Sequence, residues 1–276
     1  MSTVFEWDWA LLNELMRTCE YASETPYILK YMPKNGKVIE AGCGPGRFVM
    51  YLSKKGVDVT GIELGQETVD KVRAIIPELD IRQGDVLKLP FADNTISGII
   101  SLGVVEHFIE GPQKVLKEMN RVLKPGGYMV VTTTSFNHLR KIKYFLGFGI
   151  MNDNNWLDIR KYNFIRKLFG KQKISKVRPF PRVPFVKRNL ADTKTFFEYF
   201  FTKEEFEQEL KAAGFKIIES VPVQLLDGIQ HELSRKLVGY DEIKFNPTFL
   251  GAALNALFAL KPFFHNHMHL CVVTKQ

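Results

Sequence analysis

The sequence predicts an α/β fold in which a mostly parallel, seven-stranded sheet carries helices on both faces. Between Lys37 and Thr134, short apolar segments alternate with helical segments of about 10 residues, a rhythm typical of parallel sheets. The first apolar segment runs into a glycine-rich turn, VIEAGCGPG at 38–46. The alternation of strands and helices stops after Thr134 and resumes at Thr202, and the last two predicted strands follow in this C-terminal part.

Each element has its own local signals. Apolar residues at helical spacing predict a helix within 5–32, which ends near Pro33. Thr202 and Glu205 form a capping box for a late helix, and Gly214 ends it. The predicted strands are 37–41, 57–62, 80–83, 98–102, 128–134, 216–223 and 268–274, and the other core helices are 47–55, 66–76 and 112–123.

Two inserts divide the chain into parts. We predict an N-terminal helical lid at 1–35 and a nucleotide-binding core at 36–134. A cap follows at 135–200, after the fifth strand. The C-terminal part of the core, 201–276, contains a second, helical insert between the sixth and seventh strands at about 224–266.

Composition indicates an ordinary globular protein. The chain has 276 residues, of which 45% are hydrophobic and 25% charged. No segment reaches the roughly 18–20 uncharged apolar residues that a membrane-spanning helix needs. The N-terminus lacks the basic flank of a secretory signal, and three distant cysteines form neither a disulfide framework nor a CxxC site. We therefore expect a cytoplasmic protein.

The positive charge is concentrated in one segment. Residues 136–190 hold fourteen Lys or Arg against two acids, whereas the whole chain has a net charge of +8. Ten aromatic residues are interleaved with these cations. The basic character therefore belongs to the cap and not to the core.

The glycine loop predicts a nucleotide site of an unusual type. A strand that delivers its carboxyl end to a Gly-rich turn and a helix is a nucleotide-binding arrangement. The glycines are Gly42, Gly44 and Gly46, but Arg47 stands where a dinucleotide fingerprint requires glycine or alanine. A P-loop would require Gly-Lys-Ser/Thr, which is absent.

Two carboxylates stand in register with this loop. Glu63 ends the second strand about 20 residues after the first glycine, where a carboxylate can accept both ribose hydroxyls of an adenosine. Asp85 follows the third strand, where it can accept the adenine amino group beside Leu87 and Leu89. Loop and carboxylates together predict an adenosine-containing ligand.

At these residues the sequence resembles the class I S-adenosylmethionine-dependent methyltransferases, whose fold is Rossmann-like, and within them the small-molecule branch called methyltransferase type 11. The resemblance is continuous over about 36–134 and weaker over FTKEEFEQELKAAGFKIIE at 201–219. The matching motifs are VIEAGCGPG (38–46), VTGIEL (59–64), QGDVLKLPFADNTISGIIS (83–101), GVVEHF (103–108) and LKPGGYMVVTT (123–133).

The resemblance implies S-adenosylmethionine as methyl donor and S-adenosylhomocysteine as product. It implies that Glu40 and the glycine loop hold the amino-acid end of the cofactor and that Glu63 binds the ribose. Asp85 and Val86 would bind the adenine, with Leu102 and Gly103 beside the methionyl part. The complete implied set is Glu40, Gly42, Cys43, Gly44, Gly46, Glu63, Leu64, Asp85, Val86, Leu102 and Gly103.

Two histidines are candidate bases. A base is needed only where the acceptor carries a proton of high pKa, as a hydroxyl does. His107 follows the fourth strand and His138 follows the fifth, and the carboxyl ends of both strands point into the predicted site. Within the segment EHF, His107 has the second interpretation that it only lines the pocket. The [D/N/S]-P-P-[Y/F] segment of amino-methylating nucleic-acid enzymes is absent after the fourth strand, which counts against that chemistry.

The segment FHNHMHL places His265, His267 and His269 on one side of a strand. These side chains could bind a metal, or they could line the polar edge of a strand whose Met268 and Leu270 point inward. No acidic or cysteine cluster lies nearby in the sequence. We therefore predict no metal site.

The two inserts are the segments that bear on the identity of the acceptor. Lysines, arginines and aromatics in the cap suit an RNA backbone, an anionic membrane surface, or a plain lid with buried aromatics and solvated cations. The apolar segment 249–264 has the pattern of a core helix, but beside such a cap it also suits a hydrophobic acceptor. We predict methyl transfer, at oxygen, to a small, lipid-linked or sugar acceptor, with peripheral membrane contact left open. An RNA methyltransferase and a non-catalytic cofactor-binding protein are the alternatives.

Overall fold

The computed structural model describes residues 12–146, 183–188 and 194–275, with side chains described for 14–143 and 197–275. The strands are β1 (Val38–Ala41), β2 (Val59–Glu63), β3 (Ile81–Gln83), β4 (Ile96–Ser101), β5 (Leu123–Thr134), β6 (Val183–Arg188), β7 (Lys194–Phe200), β8 (Phe215–Val223), β9 (Val238–Tyr240), β10 (Phe245–Pro247) and β11 (Met268–Lys275). The helices are α1 (Leu12–Tyr21), α2 (Thr25–Tyr31), α3 (Arg47–Ser53), α4 (Gln66–Ile75), α5 (Gln113–Val122), α6 (His138–Leu146), α7 (Lys203–Ala212), α8 (Leu225–Glu232) and α9 (Phe249–Ala259), with a 3₁₀ turn at Val105–His107.

Seven strands form one twisted sheet in the order β3-β2-β1-β4-β5-β11-β8. The first five of these pair in parallel, and β11 runs antiparallel to both neighbours. The predicted fold class is confirmed. Because β1 lies between β2 and β4, the chain leaves the centre in opposite directions, and a crevice opens at the carboxyl ends of these strands.

Helices cover both faces of the sheet because its central strands are apolar on both sides. Val38 packs with Phe48 of α3 on one face, whereas the next residue, Ile39, packs with Leu116 of α5 on the other. Val38 to Ala41 are all buried, a pattern typical of parallel strands covered by helices. The sheet is therefore a rigid platform whose exposed edge of strand ends is available for binding.

The predicted N-terminal helix is two helices. Pro26 lies in the first turn of α2, where its missing N–H costs nothing, but it could not continue α1. Cys19 of α1 and Ile28 of α2 are buried against the sheet, so this segment packs on the core. The predicted lid residues Trp7 and Trp9 lie outside the described residues.

The first insert joins the core at both ends. The backbone N–H of Phe201 donates to Thr134, and the side chains of Phe200 and Phe201 are buried, so the core resumes before the predicted boundary at 201. Arg140, one of the basic residues of this insert, is 0% exposed, unlike the solvated cations of the plain-lid interpretation. Residues 147–182, most of the predicted basic cap, lie outside the described part of the chain.

The second insert comprises α8, the β9–β10 hairpin and α9. The expectation of a core helix at 249–264 is wrong for α9, since Phe249 is 93% and Leu260 80% exposed. The helix meets the protein through a small residue, Gly251, which packs on the backbone of Leu237. Within the described ranges, no helix combines the length and apolar character required to cross a bilayer.

Candidate functional site

A cavity of about 1070 Å³ opens at the carboxyl edge of β1, β2, β4 and β5. Pockets for one drug-sized ligand measure roughly 300–1,000 Å³, so this volume has room for a nucleoside and a second ligand. Ten of the eleven predicted cofactor residues line it: Glu40, Gly42, Cys43, Gly44, Glu63, Leu64, Asp85, Val86, Leu102 and Gly103.

The glycine loop is held close to the turn after β4. Gly42 has φ +78°, and a Cβ there would lie 2.5 Å from Cγ2 of Val104. Any larger residue would therefore push apart two walls of the cavity. Gly46, the eleventh predicted residue, packs against Ile81 and immediately precedes α3, so its place is structural.

Glu63 joins β2 to the glycine loop. Its Oε2 accepts a hydrogen bond from the backbone N–H of Gly44 at 3.0 Å, and its Oε1 accepts one from Gly65 at 2.9 Å. An ionised carboxylate offers about four acceptor positions, so two remain for a ligand. This capacity fits the two hydroxyls of a ribose.

Glu40 is buried beneath the loop, at 4% exposure. Its Oε2 accepts from the N–H of Val49 at 3.1 Å. Burial raises the pKa of Glu40 to about 8, against the opposing effect of Arg47. A buried carboxyl of this kind gains from a cationic ligand group, which favours its ionised form.

The predicted adenine position is formed after β3. Asp85 is exposed, and its Oδ1 accepts from the N–H of Leu87 at 2.8 Å. Val86 is buried next to it, whereas Leu87 is 40% exposed. An apolar surface beside a carboxylate suits a flat ring that carries an amino group.

The opposite half of the cavity contains Glu106 and His107, which follow β4. Oε1 of Glu106 lies 3.2 Å from both the N–H and the hydroxyl of Thr134. Its Oε2 has no hydrogen-bond partner among the described residues, and burial raises its pKa to about 7. Nδ1 of His107 donates to the carbonyl of Phe197 at 2.8 Å, since a carbonyl only accepts. His107 thus lies where the sequence placed it, at the cavity wall.

His138 lies elsewhere. It begins α6, its backbone N–H donates to Phe263, and it is not among the described residues that line the cavity. Burial, with smaller effects of Lys141 and Lys261, lowers its pKa. The structure does not bring His138 to the other predicted residues, and its catalytic role stays a prediction.

The three C-terminal histidines do not line a polar strand edge. His265 and His269 are 1% and 0% exposed. His269 is buried because β11 lies between β5 and β8 inside the sheet. Burial lowers the pKa of His265 to about 4 and that of His269 to about 3. His267, just before β11, alone of the three lines the cavity.

Two residues that the sequence analysis missed lie beside His267, and one of them, His231, also lines the cavity. His231 of α8 lies with Nδ1 2.6 Å from Oδ1 of Asp227, and its ring stacks on that of His267 at 4.5 Å. The spacing of Asp227 and His231, four residues apart on one helix face, was the available signal. Ligating atoms of these three residues lie within 4.8 Å of one another, as do those of Glu106, His107 and Glu198, so either group has the spacing of a metal site.

Arg140 of α6 holds His267 and the α8 residue Glu232 together. Its Nε lies 2.5 Å from Glu232, and its Nη1 and Nη2 lie 2.6 Å from the carbonyl of Ser135 and 2.9 Å from Nδ1 of His267. Burial opposes ionisation of Glu232, but Arg140 and Lys143 hold its pKa below the ordinary value. The buried cation is therefore paired and hydrogen-bonded, as burial of a charge requires.

Comparison with known proteins supports the cofactor assignment. A family model described as a methyltransferase domain matches residues 39–131. A probable S-adenosylmethionine-dependent methyltransferase of Mycolicibacterium smegmatis is 38% identical over 96 residues, which cover 35% of this chain and 37% of that protein. A demethylmenaquinone methyltransferase of Chlorobaculum parvum is 28% identical over 190 residues, 68% of each chain. The crystal structure of an S-adenosylmethionine-dependent methyltransferase from Methanosarcina mazei matches with a TM-score of 0.55 and 18% identity, covering 91% of this chain and 97% of that one.

Most of these sequence matches cover only part of each relative. Five curated relatives, the mycobacterial protein among them, are matched over 37–49% of their own length. The chain thus aligns with less than half of each, and the structural likeness at 18% identity conveys the fold alone. The family model, the sheet order, and a cavity that gathers the glycine loop, Glu63 and Asp85 agree with one another. In these features the chain is similar to the class I S-adenosylmethionine-dependent methyltransferases, and its residues 39–131 match the model of a methyltransferase domain.

Proposed function

We propose that the protein transfers the methyl group of S-adenosylmethionine to a hydroxyl oxygen of a small acceptor. One observation carries the proposal: a single cavity joins Glu63 and Asp85 to Glu106, His107 and His231. The first pair suits an adenosine, and the second group consists of side chains that bind or accept protons. Donor and acceptor can therefore occupy the same cavity.

The cofactor half follows from the residues already described. Glu63 has acceptor capacity for the ribose hydroxyls, Asp85 with Val86 for the adenine, and Glu40 for the ammonium group. When bound, S-adenosylmethionine supplies an electrophilic methyl group on a positively charged sulfur. The protein's main contribution is to align the acceptor oxygen with that methyl group, because proximity and orientation lower the barrier to a displacement.

The acceptor half favours a ligand with polar hydrogens. Glu106 lines the cavity while its Oε2 lacks a hydrogen-bond partner among the described residues. A buried carboxyl oxygen of this kind is stabilised by a ligand hydroxyl or amine that donates to it. The name of the Chlorobaculum relative, a demethylmenaquinone methyltransferase, supports a small organic acceptor of hydrophobic character.

A hydrophobic or lipid-linked acceptor is the more specific form of the proposal. Phe249, Leu250, Leu257 and Leu260 expose apolar side chains along α9, and Lys261 follows them. Apolar side chains beside a cation suit the interface of an anionic membrane, from which such an acceptor would be taken. Sedimentation with vesicles of phosphatidylglycerol and phosphatidylcholine tests this form: the wild type is expected in the pellet, and Phe249→Ser/Leu260→Ser in the supernatant. Equal distributions of the two proteins would refute membrane contact through α9.

Two measurements test the proposal as a whole. Calorimetry with S-adenosylhomocysteine is expected to show binding, and its absence in the wild type would refute the cofactor assignment. Transfer of labelled methyl from S-adenosylmethionine is then followed over matched phenols, alcohols, amines and a structured RNA. Label in hydroxyl compounds supports the proposal, label in amines alone or RNA alone replaces its acceptor class, and cofactor binding without transfer to any of them favours a non-catalytic protein.

A further inference from the structure

Two imidazoles face the cavity from a wall to which the sequence assigned no function. His231 comes from α8 and His267 from the residue before β11, and their rings stack at 4.5 Å with an interplanar angle of 28°. Both line the cavity, whereas Asp227 and Arg140, the partners of their Nδ1 atoms, are not among its described lining residues. The Nδ1 edges therefore turn into the protein, and the opposite edges face the cavity.

The hydrogen bonds assign opposite tautomers to the two rings. Nδ1 of His231 lies 2.6 Å from Oδ1 of Asp227 and 3.2 Å from the Asp227 carbonyl, both of them acceptors. In the neutral ring, which is the form that can act as a base, Nδ1 of His231 therefore carries the proton, and Nε2 carries a lone pair. Arg140 only donates, so Nδ1 of His267 accepts from it at 2.9 Å and the proton of His267 is on Nε2. The wall thus presents one acceptor and one donor side by side.

The surrounding charges keep these roles distinct. The hydrogen bond to Asp227 raises the pKa of His231, although burial opposes this shift. Burial, assisted by Arg140, lowers the pKa of His267 to about 3, so that ring stays neutral. The charged groups that act on the pair are Asp227 and Glu232 on α8 and Arg140 on α6. Lys143 of α6 pairs with Glu232, and Tyr240 of β9 and Arg47 of α3 line the same cavity.

A close backbone contact positions the pair. A Cβ at Gly228 would lie 1.6 Å from the carbonyl oxygen of His265, so α8 packs directly on the chain at 265–267. No side chain larger than hydrogen fits between them. One turn further along α8, His231 is thereby brought against His267. The stacking depends on this glycine.

We propose that His231 is the general base of the reaction, that Asp227 positions it, and that His267 orients the acceptor through its Nε2–H. This inference rests on the proposed function. The acceptor oxygen forms a bond to the methyl carbon, and the carbon–sulfur bond breaks with its electron pair going to sulfur. The hydroxyl proton passes to Nε2 of His231, and the resulting imidazolium is stabilised by Asp227 until it releases the proton to solvent.

A metal ion is the competing use of the same three residues. A metal ion bound through Nδ1 of His231 would have to replace the hydrogen bond between Asp227 and His231, because that proton lies between the two atoms. The arrangement resembles a base and its orienting carboxylate more closely than an open ligand set, in which the carboxylate and the imidazoles point at one position. Zinc binding is therefore included in the test.

The first experiment is independent of the acceptor. Long-range ¹H–¹⁵N spectra of the imidazoles should show the Nδ1–H tautomer for His231 and the Nε2–H tautomer for His267. In Asp227→Asn the pKa of His231 should fall relative to the wild type. The Nε2–H tautomer at His231, an unchanged pKa in Asp227→Asn, or Zn²⁺ binding at micromolar concentration that His231→Gln abolishes would each overturn the proposal.

The second experiment measures transfer to whichever hydroxyl compound is methylated in the screen. His231→Gln should lower kcat by about 10²- to 10⁴-fold, the range of general-base catalysis, with unchanged affinity for S-adenosylhomocysteine. Asp227→Asn should lower kcat and move the acidic limb of kcat/KM to lower pH, whereas Glu67→Gln, which removes an exposed pair of the same i, i+4 spacing, should do neither. Retention of kcat in His231→Gln, or loss only in His107→Gln, would overturn the assignment. Failure of the wild type to bind S-adenosylhomocysteine would instead refute the proposed function. The imidazole spectra would still show whether His231 and His267 have the tautomers that the proposal requires.

Discussion

Glu40 offers a sharp test of the cofactor position, because it is a buried carboxyl beneath the glycine loop. Burial raises its pKa to about 8, so at neutral pH it is mostly protonated in the free protein. An ammonium group bound at Glu40 requires the carboxylate, and binding must then expel a proton. We therefore expect the affinity for S-adenosylhomocysteine to rise with pH up to about pH 8.

The size of this effect follows from the pKa. With a pKa of about 8, the ionised fraction of Glu40 is about 1% at pH 6 and about 24% at pH 7.5. Affinity should therefore increase about 25-fold between these pH values, which corresponds to about 2 kcal/mol. At pH 7 binding should release about 0.9 proton, since about nine-tenths of the carboxyl groups are protonated there.

Calorimetry in buffers of different ionisation enthalpy measures both quantities. Glu40→Gln cannot ionise, so it should bind S-adenosylhomocysteine about 1.5–3 kcal/mol more weakly at pH 7.5 and lose most of the pH dependence. Glu106→Gln is the matched control, because Glu106 is also buried with a raised pKa but lies in the acceptor half. A pH slope that survives in Glu40→Gln, or that disappears only in Glu106→Gln, would refute the placement of the ammonium group at Glu40.

Three further substitutions test the cavity and its supporting wall. Glu63→Ala should weaken S-adenosylhomocysteine binding by about 1–3 kcal/mol in calorimetry, whereas Glu67→Gln on the exposed face of α4 should not; equal affinities would show that the ribose lies elsewhere. Arg140→Met leaves Glu232 buried without its guanidinium and should lower the free energy of unfolding in urea by about 3–5 kcal/mol, so an unchanged midpoint would contradict the network. Gly228→Ala forces a methyl group against the backbone carbonyl of His265 and should lower the free energy of unfolding, measured by thermal denaturation, by about 1–3 kcal/mol. Wild-type stability of this variant would mean that α8 does not pack on residues 265–267.

Much of the fold and the cofactor half was predictable because the signals are local. Val38, Ile39 and Ala41 make a short buried strand that Glu40 alone interrupts, and the glycines after it permit a turn that other residues would not. Glu63 lies at the end of the next strand, and parallel strands bring their carboxyl ends to one edge. Spacing along the chain therefore translated directly into proximity in space.

The acceptor half was less predictable because its residues come from distant segments. Asp227 and His231 belong to an insert and His267 to the approach of the last strand, and only the packing of α8 joins them. His138 looked equivalent to His107 as a residue after a strand, yet it begins α6 and is not among the described residues that line the cavity. The apolar pattern also predicted the burial of α9 wrongly, because the sequence of an apolar helix is the same whether the helix packs in the core or lies exposed.

The sequence by itself determined the sheet, the glycine loop and the positions of Glu63 and Asp85 at the strand ends, because each depends on residues close together in the chain or on the regular alternation of strands and helices. Only the tertiary structure decided which titratable groups share the cavity and which histidines are buried. It also decided that Arg140 is the centre of a buried network and not a solvated cation. Burial and the pairing of charges are properties of neighbours brought together by folding, and those neighbours can lie far apart in the chain, as Arg140 and His267 do at a separation of 127 residues.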